Sequence, residues 1–206
     1  KHVLKDKDGK YFEEIYIRLN KKDADSHLIK LEFKNIPIFE HTDNDVDIAV
    51  FNCLPDVNIY DFKTIPSEMF AVDQEIKEND ISEGDDVFFT GLFTSHVGQK
   101  RSQPIVRFGK VALLPEEKIE WKEAGKNPKM LDLFLMEAQS FGGNSGSPVF
   151  FNLSPMRKPG QISFGGNNLL LAGIVSGSFL SGNKIQITDT VSNLVSMENL
   201  GICAVV

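Results

Sequence analysis

The sequence predicts an all-β protein whose strands form a sandwich or a barrel. Three observations support this fold class: short runs alternate apolar and polar residues, turn residues separate the runs, and helical periodicity is weak. In EIYIRL (14–19), Ile15, Ile17 and Leu19 recur at every second position, as in a strand with one buried face. A succession of short strands without intervening helices is typical of sandwiches and barrels rather than of parallel α/β sheets.

Each further strand is predicted by alternation or by a short apolar run that turn residues bound. In IKLEFK (29–34), Ile29, Leu31 and Phe33 alternate with charged residues. The other predicted strands are VDIAVF (46–51), DVFFTGLF (86–93), PIVRF (104–108), KVALL (110–114), LDLFLMEA (131–138), SPVFF (147–151), LLLAGIVSGSF (169–179), KIQIT (184–188) and GICAVV (201–206). Short helical candidates cover residues 1–6, part of 61–77, and 190–197.

The 206 residues suffice for one or two domains. A stretch near 56–85 is poor in strand pattern and rich in charge, and it includes the acidic run DQEIKENDISEGDD (73–86). We interpret residues 59–85 as a linker between two β units, 1–58 and 86–206. The acidic run itself is typical of a solvated loop.

Composition and charge exclude several classes of function. The net charge of −7 argues against a nucleic-acid partner, which needs clustered Lys and Arg. No apolar run approaches the ~20 residues of a transmembrane helix, so no membrane segment is expected. Cys53 and Cys203 lie in apolar sequence, and we expect buried thiols rather than a disulfide framework or a metal site. The cellular compartment stays open.

The stretch SFGGNSGSPVF (140–150) contains a candidate nucleophile, Ser145. A serine hydroxyl becomes nucleophilic when a base takes its proton and a third group orients that base. Gly143 lies two residues before Ser145, so the amides of both can face one point and stabilise an oxyanion. Taken alone, the heptapeptide fits a glycine-rich hairpin turn equally well.

The serine stretch resembles the G-[DN]-S-G-[GS]-P signature of the chymotrypsin-like serine peptidases, the trypsin family. KHVL (1–4) resembles the end of the family's T-A-x-H segment in its bacterial form, and DIAV (47–50) resembles the strand that carries the family's aspartate. The resemblance implies a triad whose members follow the family's order along the chain: His2 as the base, Asp47 as the orienting carboxylate and Ser145 as the nucleophile. The GNSG form resembles the bacterial, HtrA-like branch.

From the residues alone, other assignments stay open. His27, His41 and His96 rival His2, and Asp43 and Asp45 lie close to Asp47. A carboxylate inside an apolar strand is costly unless it is bonded, which favours Asp47 as the partner of a histidine.

The resemblance also implies a fold and a substrate site. The fold is two six-stranded antiparallel β-barrels, the first incomplete at its N-terminus because the strands that precede the family's histidine are missing from this sequence. We therefore expect a piece of a longer protein with further domains, poorly stable and nearly inactive alone. Substrate would contact five positions around the second barrel, where the absence of an acidic side chain predicts a neutral pocket: Gln139 at its floor, Ser176, Gly177, Ser178 and Gly201.

The sequence thus predicts a serine endopeptidase that acts on polypeptide substrates and needs no metal or organic cofactor. Two alternatives remain at this point. One is a catalytically weak sensor or binding module on the same scaffold, and the other is acyl transfer on a small ester.

Overall fold

The protein's structure, a computed structural model, describes residues 2–121, 127–139, 143–157, 168–186 and 193–206, with the backbone alone at position 2 and at 180–186 and 193–198. The chain divides into two compact units, each built from three chain segments. Unit 1 comprises Lys1–Ile65, Leu92–Pro104 and Glu120–Leu131, and unit 2 comprises Pro66–Gly91, Ile105–Ile119 and Asp132–Val206.

Unit 2 contains a closed antiparallel barrel of six strands. In barrel order the strands are β10 (Pro148–Asn152), β11 (Leu169–Gln186), β12 (Asn193–Val205), β9 (Phe134–Glu137), β6 (Pro104–Leu113) and β5 (Asp86–Leu92). The all-β fold class is thereby confirmed. Because β10 lies between β11 and β5, the segment that precedes β10 is flanked by both neighbours.

The barrel interior follows from the period-two pattern of its strands. Fully buried side chains occupy every second position of β5 and β10, namely Val87 and Phe89, and Val149 and Phe151. Near the end of β12 three consecutive residues are fully buried, Cys203, Ala204 and Val205. Each large apolar side chain buried in this way contributes about 1.5–3 kcal/mol.

Unit 1 has smaller sheets. β1 (Glu14–Asn20) pairs antiparallel with β2 (Ser26–Glu32), and β3 (Ile38–Glu40) pairs with β4 (Ala49–Phe51). Its core cluster consists of Leu4, Leu31 and Phe33, with partly buried residues packed around it. In the described part of unit 1 the strands form these two-stranded sheets, so the first of the two predicted barrels stays a prediction.

Several elements differ from the sequence-based expectation. Residues 59–85, predicted to be a linker, divide between the units. The 3₁₀ helix (Ser67–Met69) and α1 (Asp73–Glu78) in this stretch agree with the helix predicted for part of 61–77. The helical prediction for 190–197 is wrong at 193–197, which belong to β12; positions 190–192 lie outside the described residues. A further pair of strands, β7 (Ile119–Trp121) and β8 (Lys129–Leu131), forms a sheet that the sequence analysis did not anticipate. Among the described helices, none has both the length and the apolar character for crossing a bilayer.

Candidate active site

The serine loop, residues 143–147, turns tightly before β10. Gly143 (φ +97°) and Gly146 (φ +83°) have left-handed backbone conformations, which residues with a Cβ rarely adopt. The amide of Ser147 donates to the carbonyl of Asn144 at 3.0 Å, and the amide of Gly146 donates to a carbonyl of β11 at 2.7 Å. The glycines let the chain turn, and the hydrogen bonds fix the turn against β11.

Burial alternates along the serine loop in a way that presents one side chain. Asn144 is 3% exposed and Ser147 is 8% exposed, whereas Ser145 between them is exposed. Where the structure describes burial, these two are the buried polar residues of the chain. The loop is therefore anchored through Asn144 and Ser147, and the Ser145 hydroxyl stands at the surface.

The hydroxyl of Ser145 has a weak hydrogen bond. Its Oγ donates to the carbonyl of Ser176 on β11 at 3.3 Å, longer than the usual 2.7–2.8 Å for a hydroxyl donor. A bond of this length is readily exchanged for one to a stronger acceptor, such as an imidazole.

Among the described residues, two backbone amides of the loop have no acceptor. Gly143 and Ser145 are both exposed, and neither amide donates to another described residue. In acyl transfer, two N–H groups that point to one position beside a serine hydroxyl stabilise an oxyanion.

The predicted substrate residues of unit 2 lie along β11 and β12. In the pairing of β11 with β12 the register shifts between Val175 and Gly177, so that Ser176 is a bulge residue, and Ser178 lies opposite Cys203. A bulge redirects a strand locally and is common beside active sites.

Gly201 and Gln139 come together at the edge that β12 shares with β9. The carbonyl of Gly201 (φ +75°) accepts from the amide of Ala138 at 2.9 Å, and the exposed Gln139 follows directly. β12 contains Gly201 and lies between β11, which contains Ser178, and β9, which ends shortly before Gln139. The three residues therefore lie on or next to three neighbouring strands. The described side chains of this set are uncharged.

The other two triad candidates belong to unit 1. His2 begins a 3₁₀ helix, His2–Leu4, and its side chain lies outside the described residues. Leu4 is buried in the unit 1 core, and Ala49 packs against the same cluster. Leu4 follows His2 by two positions, and Ala49 follows Asp47 by two positions. One apolar cluster therefore holds the chain next to both triad candidates.

The expectation that Asp47 is buried inside a strand is wrong. Asp47 is exposed and precedes β4, which begins at Ala49. The apolar neighbours Val46 and Ile48 suggested a continuous strand, but the chain turns at 43–46, where the amide of Val46 donates to the carbonyl of Asp43.

The rival histidines have other surroundings. In a triad the base donates from Nδ1 to a carboxylate. The Nδ1 of His27 instead lies 2.8 Å from the hydroxyl of Tyr60, and the Nδ1 of His41 accepts the amide of Asp43 at 3.1 Å. His96 is an exposed residue at the end of a turn.

The rival carboxylates have structural contacts as well. Asp43 accepts the amide of Asp45 at 2.9 Å and so closes its own turn, and Asp45 forms an ion pair of 2.9 Å with Lys129. Asp43 and Asp45 thus have structural contacts of their own, and Asp47 stays the carboxylate that the resemblance implies.

The cysteines are free thiols. Cys203 is fully buried and its Sγ lies 3.3 Å from the carbonyl of Ala138, whereas Cys53 is partly buried. Across the described part of the chain, no group of three or more His, Cys, Asp or Glu residues has a metal-binding arrangement.

One residue of the site was missed in the sequence analysis. Gly91, near the end of β5, lies against the side chains of Asn144 and Ser147. The available signal was the glycine inside the apolar run DVFFTGLF, because a glycine within a strand often marks the close approach of another segment.

Comparisons of the chain with protein-family models, with curated proteins and with solved structures find no match.

Proposed function

We propose that this protein is a serine endopeptidase with a chymotrypsin-like arrangement of two β-barrels, the second of them formed by unit 2. Ser145 is the nucleophile, His2 the general base and Asp47 the carboxylate that orients the base. The amides of Gly143 and Ser145 form the oxyanion hole.

The observation that carries the proposal is the construction of the serine loop. Buried Asn144 and Ser147 and two left-handed glycines hold an exposed hydroxyl beside two available amides. An ordinary hairpin turn has no need of buried polar anchors on both sides of an exposed serine, since burying polar groups is costly. A preset nucleophile has that need, because small displacements reduce its reactivity strongly.

The chemistry follows from these roles. Ser145 Oγ attacks the carbonyl carbon of the scissile peptide while His2 takes the hydroxyl proton, and the carbonyl oxygen becomes an anion that the two amides stabilise. Each such donor lowers the barrier by about 2.7–4 kcal/mol. His2 then gives the proton to the leaving amine, and water releases the acyl group from Ser145 by the same steps.

A polypeptide substrate suits the unit 2 residues. The bulge at Ser176 turns backbone groups of β11 out of the β11–β12 ladder, where an extended peptide can pair with them. Gln139, Gly177, Ser178 and Gly201 offer uncharged surroundings, which favours uncharged substrate side chains at this position.

A fluorophosphonate probe tests the nucleophile directly. We expect the probe to label the protein at Ser145, and the variant Ser145→Ala to remain folded and unlabelled. The matched control is Ser154→Ala, which removes another exposed serine hydroxyl of unit 2 and should leave labelling unchanged. Absence of labelling in folded wild-type protein would contradict the proposal.

The exposure of Asp47 favours a second candidate function, a scaffold that binds polypeptides with little turnover. An exposed carboxylate is solvated, so it holds and polarises an imidazole less firmly than a buried one. Retention of an intact peptide partner by both wild type and Ser145→Ala, without cleavage products from either, would support this candidate over the peptidase.

A further inference from the structure

Gly91 brings β5 into close contact with the serine loop. β5 and β10 are antiparallel, with Val149 opposite Phe89. The same register, continued by two residues, puts Ser147 opposite Gly91. The end of β5 therefore runs along the side of the loop that faces away from β11.

The space at Gly91 is too small for a Cβ unless the neighbouring side chains shift. A Cβ at this position would lie 2.5 Å from Ser147 Oγ, 3.0 Å from Asn144 Nδ2 and 3.6 Å from Ser147 Cβ. Real Cβ atoms essentially never show the first distance, and the second is tighter than about nine in ten of their contacts. The backbone at Gly91 is not left-handed, so space and not conformation requires the glycine.

The two residues that Gly91 contacts are those that anchor Ser145. Asn144 precedes the nucleophile directly, and Ser147 follows it by two positions; both are buried. On the opposite side, β11 holds the loop through two backbone hydrogen bonds with Val175, from the amide of Gly146 at 2.7 Å and to the carbonyl of Ser147 at 2.9 Å. The loop is thus confined between β5 and β11. Added volume on the β5 side would therefore displace Asn144 and Ser147, and with them Ser145.

We infer that Gly91 is a positioning residue for the nucleophile. Because Gly91 has no side chain, Asn144 and Ser147 pack closely against β5, and this packing determines where Ser145 Oγ lies relative to the oxyanion amides. This inference rests on the proposed function and adds to it a residue in β5 that touches neither substrate nor the reacting atoms.

Side-chain volume at position 91 provides the test, with the rate of fluorophosphonate labelling at Ser145 and the kcat and KM for a peptide substrate as readouts. We expect Gly91→Ala to lower the labelling rate and kcat by about 10-fold and Gly91→Val by about 100-fold, because displacements near 1 Å have effects of this size. KM should change little, since the substrate residues of β11 and β12 are untouched.

A second substitution makes the test specific to this contact. Ser147→Ala removes the oxygen nearest to the added Cβ and leaves Ser147 Cβ at an ordinary 3.6 Å. The single variant Ser147→Ala, which loses one anchor of the loop, is the reference: adding Gly91→Ala to it should lower the rate much less than Gly91→Ala lowers the rate of the wild type. A general loss of barrel stability would not depend on the residue at position 147 in this way.

Gly84→Ala is the matched control. Gly84 precedes the other end of β5, has φ +90°, and offers open space to a Cβ. This variant should lower the melting temperature and leave kcat and the labelling rate unchanged.

The outcomes separate the two proposals. Wild-type labelling together with undiminished labelling of Gly91→Ala and Gly91→Val would overturn the role of Gly91 alone. An equal loss of rate when Gly91→Ala is added to Ser147→Ala and to the wild type, with the protein folded, would do the same. Wild-type protein that the probe does not label would overturn the proposed function itself.

Discussion

At the scale of single residues, the motif and the structure contribute different information. Ser145 follows from the sequence because a serine between glycines is visible in a short motif. The exposure of Asp47 cannot be predicted from the sequence, because the apolar neighbours Val46 and Ile48 suggest a strand. The turn that ends this pattern depends on a backbone hydrogen bond to Asp43, which the sequence does not reveal. The burial of Asn144 is likewise invisible in the sequence, where asparagine usually indicates a loop.

Substitution of Asp47 tests the strength of the proposed triad. Loss of the carboxylate of a buried triad lowers kcat about 10⁴-fold. Because Asp47 is exposed and solvent screens its charge, we expect Asp47→Asn to lower kcat by a smaller factor, about 10- to 100-fold, as measured on a peptide substrate. Asp45→Asn is the control: it removes a carboxylate that pairs with Lys129 and should change kcat less than 2-fold, by about the effect of a surface charge. Equal effects of the two variants on kcat would show that Asp47 has no role in the mechanism.

At the scale of elements, the strands of the barrel could be predicted from the sequence, whereas the strands of three residues could not. β5 and β10 carry long apolar runs, and the structure confirms both within a residue or two. β3 and β7 have three residues each, too few to show a period. Residues 193–197 join β12 because they pair with residues 182–186 of β11, and a local pattern contains no information about such a partner.

An ion pair fixes the loop that leads into β5. The guanidinium of Arg157 donates two hydrogen bonds to Asp85, at 2.6 and 2.8 Å, and also binds the carbonyls of Asn79 and Asp80. Asp80 is a non-glycine residue with φ +51°. The side chains of Arg157 and Asp85 are 17% and 18% exposed, so the pair is largely shielded from water.

This ion pair predicts a pH-dependent stability. Burial acts to raise the pKa of Asp85, but the hydrogen bonds from Arg157 and the Ser82 amide, with the charge of Arg157, hold the pKa below its usual value. A carboxyl with a lowered pKa in the folded state stabilises the fold above its unfolded pKa, about 3.9, and that stability is lost as the pH falls through the folded pKa.

We therefore expect Asp85→Asn to lower the free energy of unfolding by about 2–3 kcal/mol at pH 7. The difference from wild type should shrink below about pH 4. Urea unfolding at several pH values measures both. Asp86→Asn is the control, since Asp86 forms an exposed pair with Lys110 and should cost no more than about 1 kcal/mol. A pH-independent difference would show that the charge of Asp85 is not what stabilises the loop.

At the scale of the whole molecule, the two units differ in the size of their cores. Among the described residues, a cluster of thirteen buried residues lies in unit 2, whereas the cluster around Leu4, Leu31 and Phe33 in unit 1 has three. Stability rises with the apolar area removed from water, so local opening should cost less in unit 1.

Native-state hydrogen exchange measures this difference. We expect the amides of β1 and β2 to exchange at least about 10-fold faster than those of β5 and β10, which corresponds to about 1.4 kcal/mol in opening free energy. Uniform protection across the four strands would mean that the molecule opens as one cooperative body.

The division of the chain into two units has a consequence for genetic recombination. The polymer passes from one unit to the other after residues 65, 91, 104, 119 and 131. No single breakpoint in the coding sequence can transfer one whole unit without part of the other. A single recombination event that transfers one unit whole therefore also transfers at least one segment of the other.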